Sequence, residues 1–221
     1  MDISDEALVE KYRQTKDFKD FGALSRRYQS RLFNAAHRIM GSPEEAEEVV
    51  QDTLLKAHSS LNQFKKQSSF ASWIFAIANN ICMDRLRVRK RRSVMKIFSF
   101  NSKPLYDQEE DASHFDGIGQ IADSSLNPLQ ELDIEEEGQM VLKALRELPE
   151  VQRTVLVLHD IEGFVYQDIA QITDASIGTV RSRLHYGRLK LRELLNPYFS
   201  SNSTKRSSKT GSAPGDRHVT Q

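Results

Sequence analysis

Residues 93–137 limit most strongly how this chain can fold. They carry 11 acidic side chains against 2 basic ones and show no sustained apolar period. Asp107-Gln-Glu-Glu-Asp111, Gly117, Gly119 and Asn127-Pro128 all fall within them. A segment of this kind cannot bury enough surface to offset the entropy of ordering it. It reads as an acidic linker, with short ordered pieces at most. The chain is therefore expected to divide into a block at 1–92, the linker at 93–137, a second block at 138–195 and a tail at 196–221. The tail is rich in Ser, Thr, Lys and Gly, nearly empty of large apolar residues, and reads as disordered. The formal net charge of zero hides this division, because the first block holds 17 basic and 12 acidic residues and the tail 4 and 1.

Both blocks read as helical. In the first, Leu24, Tyr28, Leu32, Ala35 and Ile39 recur every three or four residues, and Gly41 ends that helix. Ser42-Pro43-Glu44-Glu45 is a start signal, with Ser42 as cap, Pro43 in the first turn and Glu45 closing a capping box. Ala46, Val49, Val50, Thr53, Leu54, Ala57 and Leu61 then form an apolar stripe. A further helix is expected from about Ser69, turning Trp73, Ile74, Ile77, Ala78, Ile81 and Leu86 inward. In the second block a helix begins near Glu137, and Pro149 opens the next. Val155-Leu-Val-Leu158 alone would pass for a strand, but its neighbours do not alternate, so helix is preferred. Tyr166–Ile172 and about Ile177–Leu195 complete the set. The expected fold class is all-α, two small helical domains joined by a flexible acidic linker.

Composition excludes several function classes. The 221 residues are 38% hydrophobic and 28% charged, with 10 glycines and a single cysteine, Cys82. An internal disulfide framework or a cysteine-rich zinc site is ruled out. The longest purely apolar run, Trp73 to Ala78, is far too short to span a bilayer. The acidic start Met-Asp-Ile-Ser-Asp-Glu does not read as a secretory signal. The expectation is a soluble protein of a reducing, intracellular compartment. The histidines are not spaced as a helical metal pair, and the hydrolase-elbow, P-loop and His-Glu-x-x-His patterns are missing. Cys82 lies in an apolar helical stretch and reads as packing.

Three surfaces remain as candidates. In the second block, two helices flank the turn Thr173-Asp174-Ala175-Ser176, as in a helix-turn-helix. Asp174 suits that turn because Asp tolerates a left-handed backbone. On the second of these helices Val180, Leu184, Leu191 and Leu195 point one way, and Arg181, His185, Arg188 and Arg192 the other. Arg183 and Lys190 flank the basic face, and Thr179 and Ser182 lie near the helix start. Such a face fits a DNA major groove; a solvated basic face is the plain alternative. The second surface spans Gln63 to Arg92. There Phe64, Phe70, Trp73 and Phe75 are interleaved with Lys65, Lys66, Ser68 and Ser69, and arginines from Arg85 onward follow. Rings among cations suit unstacked single strands, although Phe70 and Trp73 also read as core. The third is Glu48, Gln51, Asp52 and Leu55, one exposed face with an apolar anchor, fit for protein docking or for solvent.

Together these residues resemble the bacterial extracytoplasmic-function (group IV) sigma factors of the sigma-70 family. Glu47-Glu-Val-Val-Gln-Asp-Thr-Leu-Leu-Lys-Ala57 and Ser69-Phe-Ala-Ser-Trp-Ile-Phe-Ala-Ile-Ala-Asn-Asn80 are similar to region two. Leu148-Pro149, Arg153, Glu162-Gly163, Tyr166-Gln-Asp-Ile-Ala170 and Gly178-Thr-Val-Arg-Ser-Arg-Leu184 are similar to region four. The resemblance implies a non-enzyme with no cofactor and no small-molecule substrate. Such a protein is cytoplasmic, not itself a membrane protein, and directs core RNA polymerase to promoters and helps melt them. It implies that Glu48, Gln51, Asp52 and Leu55 meet the β′ clamp helices, and that region four meets the β flap. Lys65, Lys66, Ser68, Ser69, Phe70, Trp73, Asn80 and Arg85 would serve the minus-ten element. The loop at Lys65–Phe70 would capture a flipped base. Thr179, Arg181, Ser182, Arg183, His185, Tyr186 and Arg188 would serve the minus-thirty-five element. An anti-sigma factor is an implied partner. The chain departs from the family's pattern at Ala76 and Tyr186, where basic residues are frequent, and at Asp174, where glycine is common. The competing readings are a conventional helix-turn-helix regulator and a pure interaction protein. The region-two motifs speak against the first, and intact basic residues on both DNA-facing segments against the second.

Overall fold

The computed structural model describes residues 3–65, 68–99 and 138–209. Its first group of helices is α1 (Asp5–Thr15), α2 (Phe18–Met40), α3 (Pro43–Ser60) and α4 (Phe70–Ser99), with a single 3₁₀ turn at Leu61–Gln63. The second group is α5 (138–146), α6 (Glu150–Leu156), a π-type turn at Val157–Ile161, α7 (Tyr166–Ile172) and α8 (Ile177–Lys209). The described residues contain no strand, and Val155–Leu158 is helical. No helix among them is long and apolar enough to cross a membrane.

Local chemistry sets the boundaries. Ser4, Asp17 and Ser42 cap α1, α2 and α3 by accepting backbone N–H groups through their side chains. Gly41 ends α2 at φ 84°, its N–H returning to the His37 carbonyl at 2.9 Å. Only half of the expected capping box forms. Ser42 Oγ accepts from the Glu45 N–H at 3.2 Å, but the Glu45 carboxylate goes to Arg89 at 2.9 Å, and Ser42 Oγ donates to Glu44 at 2.6 Å. A long-range cation outcompetes the local backbone donor. Two helices overrun their expected ends. α4 continues to Ser99 and α8 to Lys209, past the tail boundary at 196. Pro197 inside α8 forfeits one backbone bond there. Residues 100–137 and 210–221 of the expected linker and tail lie outside the described residues.

The α2 stripe Leu24, Tyr28, Leu32, Ala35 and Ile39 is buried, as its period predicts, against Ala46, Val49 and Val50 of α3. On α4 the deepest side is Phe70, Ile74, Phe75, Ala78, Cys82 and Leu86, while Trp73, Ile77 and Ile81 are partly buried on its flank. Burial pushes the Cys82 thiol up to about 12, so it stays a neutral packing group.

The two helical groups are packed together. Val155, Val157, Leu158, Phe164, Ile169, Ile172, Val180 and Leu184 belong to the same apolar cluster as α1–α4. Phe164 meets Phe75 edge-on at 4.9 Å. Asn79 Nδ2 donates to the Ile172 carbonyl at 3.2 Å, satisfying the last turn of α7. The Arg153 guanidinium is buried and donates to the Arg146 and Leu148 carbonyls, each at 3.1 Å, and closely to the Ile39 carbonyl. One cation thus serves the C-terminal ends of both α2 and α5, where the helix dipoles favour it.

Candidate nucleic-acid and protein interfaces

The face of α3 opposite its buried stripe presents Glu48, Gln51, Asp52 and Leu55 together, and Leu55 is 63% exposed. From α4, Arg85 contacts Glu48 closely and reaches Asp52 at 2.7 Å. Sequence reasoning groups Arg85 with the minus-ten residues; the fold also pairs it with the acidic face of α3. Arg89, one turn on, pairs with Glu45 at 2.9 Å and donates to the Met40 carbonyl at 3.1 Å. The other flank of the face carries a residue that sequence reasoning misses. Phe18 is 70% exposed and stacks on His58 of α3 with centroids 5.3 Å apart. Its position just after the Asp17 cap gives no hint, since the first residue of a helix has no defined face until its neighbours are in place.

Around the start of α4, Lys65 and Ser69 are exposed and Ser68 is half-buried, whereas Lys66 lies outside the described residues. Ser69 Oγ accepts the Ser72 N–H at 3.0 Å and so caps α4. Phe70 does not face solvent. It is fully buried, edge-on to Tyr28 at 5.3 Å and to Phe64 at 5.8 Å. The reason is its place at the first turn of a helix whose core side runs 70, 74, 78. Trp73 is partly buried, tilted against Phe64 at 5.3 Å. Asn80 is exposed, while its neighbour Asn79 points into the contact with α7.

On α8, Ser176 caps the helix by accepting the Thr179 N–H at 3.1 Å, and its hydroxyl lies 2.9 Å from Thr179 Oγ1. Asp174 takes φ 48° in the turn, the left-handed backbone expected of it. Val180 and Leu184 are buried, and Arg181, Ser182, His185, Tyr186 and Arg188 are exposed on other sides, with Arg183 half-buried. Ser182 Oγ donates to the Thr179 carbonyl at 3.0 Å. Arg181 lies over the Tyr166 ring at 5.9 Å, and the His185 and Tyr186 rings meet edge-on at 5.3 Å. Among the described residues, Phe70 is buried in the core and Arg85 pairs with α3, while the remaining site residues are exposed or half-buried.

Two family models match the chain, "Sigma-70 region 2" over residues 24–92 and "Sigma-70, region 4" over residues 138–191. The chain is 32% identical to an ECF RNA polymerase sigma-E factor of Haemophilus influenzae, over 88% of its own length and 97% of that protein's. It is 32% identical to the RNA polymerase sigma-H factor of Pseudomonas aeruginosa, over 87% and 94%. Among solved structures it is similar to the sigma factor RpoE of Bartonella quintana, crystallised with the anti-sigma factor NepR. That match has a TM-score of 0.59 and 29% identity, and covers 80% of this chain and 98% of that one. CnrH in complex with the cytosolic domain of CnrY shares the fold at a TM-score of 0.59 and 22% identity, over 88% of this chain and 99% of that one.

Proposed function

This chain belongs to the extracytoplasmic-function sigma factors of the sigma-70 family, and on that footing we propose the assignment of its surfaces. Its function is to bind core RNA polymerase, direct it to specific promoters and promote melting of the DNA. The observation that carries this is the pairing, in order on one polypeptide, of region-two and region-four sequences, each folded into its own set of helices. We assign the chain to group IV of the family.

The α3 face of Glu48, Gln51, Asp52 and Leu55 docks on the β′ clamp helices. An exposed apolar side chain ringed by polar ones has the apolar centre and polar rim of a protein interface. Lys65, Ser68, Ser69, Trp73 and Asn80 serve the minus-ten element; the first four lie at the start of α4, and Asn80 is exposed about two turns beyond Trp73. The exposed side of α8 reads the minus-thirty-five element with Arg181, Ser182, His185 and Tyr186, while Arg183 and Arg188 meet phosphates. Residues 1–92 form the region-two unit and 138–195 the region-four unit, joined through 93–137. The protein catalyses no covalent step and works in the cytoplasm, where its polymerase is. Relatives crystallised with anti-sigma factors support such a partner for this chain as well.

Run-off transcription with purified core polymerase on a library of genomic fragments tests the reading. Discrete start sites dependent on this protein are expected. Core polymerase that initiates no differently with and without it would overturn the assignment.

A further inference from the structure

Arg188 lies on the exposed side of α8, yet it is not a free cation. Its Nε donates to Asp160 Oδ2 at 3.0 Å, and a second guanidinium nitrogen contacts Oδ1 closely, making a two-point fork. Asp160 comes from the π-type turn Val157–Ile161, where the Glu162 N–H bonds the Val157 carbonyl at 3.0 Å. Adding one residue to a single turn rotates the downstream side chains by about 100° relative to a regular helix. The rotation leaves Ile161 41% exposed while Val157, Leu158 and Phe164 stay in the core. It also aims two carboxylates. Asp160 goes to Arg188, and Glu162 goes to Arg31 of α2 at 3.1 Å. The side chains of Arg188 and Asp160 are 49% and 31% exposed, so their pairing adds little to stability. Stability therefore does not account for the two-point pairing of Asp160 with Arg188.

We propose that Asp160 is a positioning residue for promoter recognition, an inference that rests on α8 being the DNA-facing helix. It fixes the guanidinium plane of Arg188, leaving the outer N–H groups aimed at one phosphate in one register. It also offsets one unit of charge on a face whose attraction to DNA would otherwise ignore sequence. The neighbouring Arg181 is held in a similar way. Its guanidinium lies over Tyr166, which meets His159 edge-on at 5.0 Å, and His159 Nδ1 is 3.7 Å from Asp160 Oδ1. Two arginines of the reading face are thus steadied from the segment that precedes it.

The test uses holoenzyme reconstituted from full-length protein and core polymerase. The probes are a promoter fragment recovered from the run-off library and the same fragment with its upstream element scrambled. For Asp160→Asn, tighter binding to the scrambled fragment is expected, with a salt slope steeper by about 0.9, because one more uncompensated cation on the face displaces counterions. The ratio of intact to scrambled affinity should fall about three- to tenfold as register is lost. Asp160→Asn in an Arg188→Ala background should leave the ratio unchanged, because the positioning acts through Arg188 alone. Asp160→Glu, which keeps the carboxylate, should restore the wild-type slope. A merely structural role would lower the melting temperature and weaken both fragments alike, leaving slope and ratio in place. An unchanged ratio in Asp160→Asn, or an equal fall in the ratio with Arg188 removed, would overturn the inference. Failure of the wild-type holoenzyme to tell the two fragments apart would instead overturn the DNA reading of α8 and the inference with it.

Discussion

At the scale of single residues, His37 shows how a side chain acquires a property its sequence neighbours do not give it. It is half-buried near the end of α2, with Phe33 stacked on it at 5.9 Å. Burial, then the charges of Arg146 and Arg38, hold its pKa below the ordinary 6.5. The folded state thus binds the proton less readily than the unfolded chain does. The stability this secures is present above about pH 6.5 and drains away as the pH falls through the lower folded value. His37→Gln should flatten the loss of melting temperature below pH 6.5 relative to wild type; parallel curves for the two proteins would contradict this. Arg146 comes from the other helical group, so only the smaller share from Arg38 is announced near position 37 in the sequence. Gly41 is a similar case. Its role as the stop of α2 follows from sequence, but a Cβ there would also sit 2.9 Å from Arg146 Nε, a contact only the packed halves reveal. Asp174 is legible throughout, because its left-handed backbone is a local requirement of the turn.

At the scale of elements, α3 and α4 show where periodicity informs and where it misleads. The α3 stripe gives both its buried side and, by subtraction, the exposed face of Glu48, Gln51, Asp52 and Leu55. On α4 the apolar residues are too dense for subtraction to work, since 70, 73, 74, 75, 77 and 78 are all apolar or aromatic. Only the fold decides that Phe70 and Phe75 go in and Trp73 stays at the flank. Arg85 shows a related limit of reading by sequence. Its position in a basic run suggests DNA, whereas its carboxylate partners lie on a different helix, 33 and 37 residues away. The pairing makes a test of the α3 face feasible. In the double variant Gln51→Ala with Asp52→Ala, Arg85 keeps Glu48, so no cation is stranded and the melting temperature should hold. Capture of core polymerase should weaken by about 2 kcal/mol, the loss expected at a hot spot. Wild-type affinity in a pull-down or fluorescence titration would show that polymerase docks elsewhere.

At the scale of the whole molecule, the acidic segment leads to an expectation of two tethered units, and the structure joins them through a shared core. The contact is not legible in the sequence because, beside the Arg31–Glu162 ion pair, its polar half uses backbone carbonyls. Asn79 satisfies Ile172, and Arg153 satisfies Ile39, Arg146 and Leu148. Any residue supplies a carbonyl, so the partner leaves no trace in the sequence. These bonds set how firmly the halves adhere, and the smaller of them can be removed cleanly. Asn79→Ala deletes the donor to the last turn of α7 while leaving the apolar contact of Phe75 with Phe164. Loss of one buried neutral hydrogen bond costs about 1 kcal/mol. Opening between the halves should then become about fivefold more frequent at 25 °C by the same conversion. Amide hydrogen exchange reads this directly. Faster exchange should appear in α7 and in the middle of α4, which face each other, and not in α3, which packs on α2 and α4 instead. Acceleration spread evenly over all helices would mean that the variant lowers global stability instead. Unchanged protection in α7 would mean that apolar contact alone holds the halves together.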